Sequence, residues 1–140
     1  MENLSTPIVT TRHGALLGAT DDNVQVWLGI PYAAPPVGAL RWRSPQPVES
    51  WPGVRPAQEM APSSWQNSEY CQELGGGDPG RFAEDCLYLN VWAPVKHPTP
   101  LPVMVWLHGG GFTIGAGGLP PYNGKALARR DVILVTLNYR

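Results

Sequence analysis

The sequence predicts an α/β fold, with a small antiparallel β-meander leading into a central mixed sheet. Residues 103–107 (VMVWL) and 132–137 (VILVTL) are continuous apolar runs, the pattern of strands covered on both faces. A glycine-rich loop and a stretch of helical character, residues 124–130, lie between them, so strand, loop, helix and strand describe a βαβ unit. Ahead of these, short β-prone segments alternate with polar turns.

Taken in order, residues 8–11 and 15–18 flank the turn Arg12-His13-Gly14, and residues 24–30 follow the polar turn Asp21-Asp22-Asn23. Residues 31–62 are crowded with proline, but Trp42 and Trp51 anchor them, so they are expected to be an ordered loop region and not a disordered linker. Residues 87–92 predict another strand, stopped by Pro94, and the polar segment 96–100 leads into 103–107. Trp92 and Trp106 fall on strands and are expected in the core. No internal repeat is visible.

Composition excludes several function classes. In 140 residues, 43% are hydrophobic, enough for one domain with a core. Ten basic and eleven acidic residues leave a formal charge of -1, so no basic field attracts nucleic acid or an anionic membrane. The N-terminus lacks a charged-then-apolar leader and no window reaches the length of a membrane span, which favours the cytoplasm over secretion and leaves the compartment open. Sixteen prolines and sixteen glycines imply long connections around few regular elements. His13 and His97 are expected in solvent; no histidine pair has metal-ligand spacing, and two cysteines alone make a poor zinc site, so neither metal nor cofactor is expected.

The stretch LHGGGF, residues 107–112, ends the first apolar run, where open α/β sheets place their ligand sites. A dinucleotide loop fails, because its third glycine would fall on Ile114, and no lysine followed by serine or threonine completes a phosphate loop. The remaining chemistry is an oxyanion hole, whose bare amides stabilise a developing negative oxygen; HGGG-type loops of esterases are the known example. A glycine turn with a purely structural role is the alternative.

Gly29-Ile30-Pro31-Tyr32-Ala33 with Pro35-Pro36-Val37-Gly38 and Leu40-Arg41-Trp42, then Glu84-Asp85-Cys86-Leu87-Tyr88-Leu89-Asn90-Val91, then His108 to Phe112, then Val135-Thr136-Leu137-Asn138-Tyr139-Arg140 occur in the order and spacing of one family. The chain resembles the N-terminal part of a type B carboxylesterase, the branch of the α/β-hydrolases that includes bacterial carboxylesterases and cholinesterases. The resemblance implies an incomplete N-terminal portion of an α/β-hydrolase fold, residues 1–140 forming part of a single domain cut before its nucleophile elbow. No G-x-S-x-G occurs and no serine follows His108, so the remainder of the hydrolase chain is required for activity.

What the resemblance implies for single residues is specific. Gly110 and Gly111 supply oxyanion amides, with Gly109 and His108 supporting the loop; the resemblance does not make His108 the catalytic base, and its position beside the loop is read as orienting it through a side-chain hydrogen bond. Phe112, Trp65 and Tyr70 are candidates for contact with a small-molecule ester. Cys71 is the one upstream candidate to pair with Cys86, a bridge that would contribute on the order of 3 kcal/mol by loop closure; two buried thiols are the alternative. Glu84 is expected to pair with Arg41, fastening the proline-rich loop to the signature strand. The function implied is carboxylic ester hydrolysis by a serine nucleophile in the parent. Two alternatives differ in class: a cholinesterase-like binding or adhesion module without the nucleophile, and an inactive segment whose strand 103–107 is an aggregation-prone apolar edge. An intact glycine loop favours the enzyme.

Overall fold

The computed structural model describes residues 6–97 and 100–140. Among these residues eight strands form two sheets. The first is small: β1 (Ile8–Thr11) and β2 (Gly14–Leu17) make a hairpin, and β5 (Val54–Pro56) joins β2 in parallel. The expected meander is therefore divided, because β3 (Ala19–Asp21) and β4 (Val24–Pro31) form their own antiparallel pair in the second sheet. That sheet continues through β6 (Tyr88–Pro94), β8 (Ile133–Leu137) and β7 (Val103–Leu107), in the order β3-β4-β6-β8-β7. β7 and β8 are parallel, in register from Val103 with Ile133 to Leu107 with Leu137. The remaining contacts in this sheet are antiparallel, so it is mixed.

Side-chain alternation sets the two faces of the larger sheet. Val24, Val26, Trp92 and Leu134 point to one face and bury themselves under Ala128 of α2 (Lys125–Ala128), the helix between β7 and β8. The sequence predicts a longer helix, over 124–130; the helix itself spans Lys125–Ala128, with Gly124 and Arg129 flanking it in helical backbone geometry. The turn before it is set by Asn123, whose side-chain oxygen accepts the Lys125 amide at 3.0 Å. On the other face Trp27 packs with Leu16 and Ala57, joining the two sheets. The proline-rich region also contributes more regular structure than its composition suggests, namely β5; beyond it, α1 (Ser68–Glu73) is capped by Asn67, whose side chain accepts the Tyr70 amide at 2.9 Å.

Residues 103–107 are not covered on both faces, as the apolar run by itself predicts; all five are exposed, from 41% at Trp106 to 64% at Leu107, the apolar edge that the inactive-segment alternative implies. Among the described residues β7 is the edge of its sheet, paired only with β8, while α2 packs on β6 and β8. Trp106 consequently leaves the core and meets the Tyr122 ring at 5.2 Å, whereas Trp92 is buried. The bridge between Cys71 and Cys86 is also absent. Both thiols are free and lie in separate apolar clusters, Cys71 with Ala116 and Leu119, Cys86 with Ala33 and Leu87. His13 is half-buried in its turn, where its Nε2 accepts from Arg12 Nε at 2.9 Å.

Candidate functional site

The site grows from the C-terminal ends of β7 and β8. Leaving β7, the chain runs through His108 into the glycine loop and returns beneath it at residues 115–118. Buried polar side chains fasten this return. Thr136 Oγ1 donates to the Gly117 carbonyl at 2.6 Å, and Asn138 Oδ1 accepts the Gly117 amide at 2.8 Å. Asn90 links them to the sheet, donating to Thr136 Oγ1 at 3.1 Å while accepting the Gly29 amide at 3.0 Å. Gly29 lies where the β4–β6 register shifts, so Asn90 satisfies an amide that the irregular ladder leaves free.

His108 is 5% exposed, its ring stacked on Tyr139 with centroids 4.2 Å apart. The Tyr139 hydroxyl also donates to the His108 carbonyl at 2.6 Å. His108 Nδ1 lies 2.8 Å from the Gly109 carbonyl oxygen. A carbonyl can only accept, so in the neutral ring Nδ1 carries the proton and Nε2 presents a bare lone pair. That Nε2 is buried and has no partner among the described residues. Burial accordingly holds the imidazole below its ordinary value of 6.5, with the Gly109 bond opposing the shift.

The directions of two amides follow from peptide planarity. In a trans peptide the C=O and the next N–H point opposite ways. The Gly109 carbonyl faces the His108 ring, so the Gly110 amide faces away from it. The Gly110 carbonyl accepts from the Thr113 amide at 3.0 Å, the Ile114 amide at 3.2 Å and Thr113 Oγ1 at 2.9 Å, so the Gly111 amide is turned away from that turn. Neither amide has an acceptor among the described residues. The glycines differ in what they tolerate. At Gly110, with φ of 122°, a Cβ would lie 1.9 Å from the Ile114 carbonyl oxygen; at Gly109 a Cβ would meet nothing within 4 Å.

Two concavities meet at this loop. One, of about 520 Å³, has His108, Cys86, Ser64 and Gly115 among its walls and Trp65, Trp42, Phe112 and the Arg41–Glu84 pair towards solvent. The other, of about 630 Å³, lies at the ends of β7 and β8 between Leu107, Leu137, Gly109, Gly111 and Phe112. Phe112 is 95% exposed with φ of 60°, and Trp65 leans on Phe82 with centroids 5.9 Å apart. Arg41 Nε is 3.2 Å from Glu84 Oε2, both side chains partly exposed. Tyr70 is not brought to the loop; it sits half-exposed on α1 and lines neither concavity. Burial, and then the carboxylates of Asp85 and Glu84, push the Cys86 thiol up to about 11, which leaves it protonated and unreactive at neutral pH. Among the described residues no group of three or more His, Cys, Asp or Glu could hold a metal ion, and no helix is long and apolar enough to cross a membrane.

The mixed sheet β3-β4-β6-β8-β7, with a glycine loop leaving the end of β7, is that of an incomplete N-terminal portion of an α/β-hydrolase fold. The comparisons agree. The carboxylesterase family model matches residues 5–140, and the chain belongs to that family. It is 48% identical over 134 residues to the para-nitrobenzyl esterase of Bacillus subtilis (strain 168), covering 95% of this chain and 27% of that protein. It is 47% identical over 131 residues to the fumonisin B1 esterase of Sphingopyxis macrogoltabida, covering 93% of this chain and 24% of that one. A solved PNB esterase superposes with a TM-score of 0.90 at 47% identity, over 97% of this chain and 28% of that structure. The chain thus spans about a quarter of the length of the curated relatives it matches.

Proposed function

We propose that residues 1–140 are the N-terminal part of a single α/β-hydrolase domain that hydrolyses carboxylic esters, and that this segment supplies its oxyanion hole. The observation that carries the reading is the pair of Gly110 and Gly111 amides, both turned outward by carbonyls that bond inward, and neither with an acceptor among the described residues. A serine from the remainder of the chain, activated by a histidine that an acidic residue orients, attacks the ester carbonyl. The carbonyl oxygen becomes anionic and takes hydrogen bonds from Gly110, Gly111 and the amide after the serine. The alcohol leaves, and water hydrolyses the acyl-enzyme. The concavity beside Leu107 and Gly111, at the open side of β7, is where the strand bearing that serine would bring it. Carboxylesterase membership and the esterase relatives support the reaction class.

The test is p-nitrophenyl acetate hydrolysis by the natural gene product, its intact mass measured, beside the 140-residue chain and a Gly110→Ala variant of the natural product. A longer active product and an inert short chain are expected; Gly110→Ala keeps its amide N–H, but its Cβ would collide with the Ile114 carbonyl and turn that amide off target, so a loss of up to roughly a hundred- to a thousandfold in turnover is expected. Full activity in Gly110→Ala would remove the oxyanion assignment; hydrolysis by the short chain itself would remove the need for an external nucleophile.

A further inference from the structure

Gln66 holds the loop from the outside, and nothing in its sequence setting marks it for that task. Its carboxamide takes both backbone groups of Gly115: Nε2 donates to the Gly115 carbonyl at 2.9 Å, and Oε1 accepts the Gly115 amide at 2.7 Å. Nε2 also donates to the Ser64 carbonyl at 3.1 Å, which fixes the side chain to its own loop. The side chain therefore pairs with Gly115 as a neighbouring strand would. Gly115 is buried, and neither of its backbone groups has another partner among the described residues. Burial makes those two bonds costly to lose.

Gly115 in turn abuts the groups that aim the oxyanion amide. A Cβ on it would come within 2.3 Å of His108 Nδ1 and 2.6 Å of the Gly109 carbonyl oxygen. The backbone at 115 thus forms a wall against the His108–Gly109 hydrogen bond, and that bond sets the plane of the peptide between Gly109 and Gly110. We infer that Gln66 is a positioning residue: by clamping Gly115 it keeps His108 on the Gly109 carbonyl and so keeps the Gly110 amide turned outward. This rests on the reading of the Gly110 and Gly111 amides as oxyanion donors. Gln66 follows Trp65 at the mouth of the 520 Å³ concavity, so one side chain ties the wall of that concavity to the amides. Because an oxyanion donor acts chiefly on the transition state, a misaimed Gly110 lowers kcat and leaves KM nearly unchanged.

The experiment uses the full-length natural product with Gln66→Ala and Gln66→Glu. Both are expected to lose roughly ten- to a hundredfold in kcat, with KM within about threefold of the parent. Glu presents an oxygen to two carbonyls when ionised, but its protonated form restores the donor to Gly115; relative to the parent, Gln66→Glu should recover as pH falls, and Gln66→Ala should not. Amide hydrogen exchange across residues 108–115 should rise in Gln66→Ala while the strands stay protected, separating a loosened loop from a general loss of fold. Parent-like kcat in both variants, in an enzyme that Gly110→Ala inactivates, overturns the positioning role and leaves the oxyanion reading intact. Activity surviving Gly110→Ala overturns the oxyanion reading itself.

Discussion

β7 and β8 are near twins in composition and opposite in environment. Both are five-residue apolar strands, paired in parallel with one another. β8 lies between β6 and β7, and its Leu134 and Thr136 are buried; β7 has one neighbour among the described residues and every residue exposed. An apolar run states that both faces of a strand will be covered, but it does not say which part of a chain does the covering. On β8 the cover comes from within these residues. On β7 it has to come from elsewhere, and the candidate site sits at the end of that open strand.

The sharpest way to break this comparison is to truncate one apolar residue on each strand. In the 140-residue chain, Leu134→Ala should cost about 2–5 kcal/mol and Val105→Ala under about 1 kcal/mol, measured by chemical denaturation. Equal costs would mean that β7 is covered in solution, for instance by self-association; in a full-length protein the two costs should converge.

A smaller effect probes the polar seam behind β8. Thr136→Val strips the hydroxyl that donates to the Gly117 carbonyl and accepts from Asn90, leaving buried groups unpaired. About 1–3 kcal/mol should be lost in the same denaturation assay, and a neutral result would show that water replaces the hydroxyl.

At the end of β7, His108 gives the open side its own pH dependence. Its folded pKa is depressed, so the unfolded chain binds the proton more readily. The His108 contribution is therefore complete above the ordinary value of 6.5 and lost as pH falls through the lowered folded value. Melting temperatures between pH 8 and pH 5 should fall less steeply in His108→Gln than in the parent; parallel curves would mean that His108 titrates normally. The least effect is expected of Arg41→Ala, whose partly exposed pair with Glu84 is worth under about 1 kcal/mol, read as a small or absent shift in melting temperature.

Much of the fold was legible because it is local. Strand segments, the turn at Asp21-Asp22-Asn23 and the βαβ order follow from periodicity and turn residues, and the glycine loop announces itself at the end of an apolar run. The exposure of β7 was not legible in the strand itself, since it depends on a neighbour; only the resemblance, with the apolar edge it implied for an isolated segment, pointed to it. The supports of the loop were hidden for another reason. Gln66 reaches Gly115 across 49 positions and Asn90 reaches Gly29 across 61, and a single side chain bonded to distant backbone leaves no periodic mark. The pairing of Cys71 with Cys86 failed similarly: sequence shows two thiols, and packing decides that they occupy different clusters.

The Gly110 carbonyl, taking hydrogen bonds from two amides and a hydroxyl at once, has a further consequence. Each donor draws electron density towards the oxygen and softens the C=O stretch. A single carbon-13 label at that carbonyl should therefore absorb at lower infrared frequency than the sheet carbonyls, giving the loop a vibrational signature that moves whenever its turn opens.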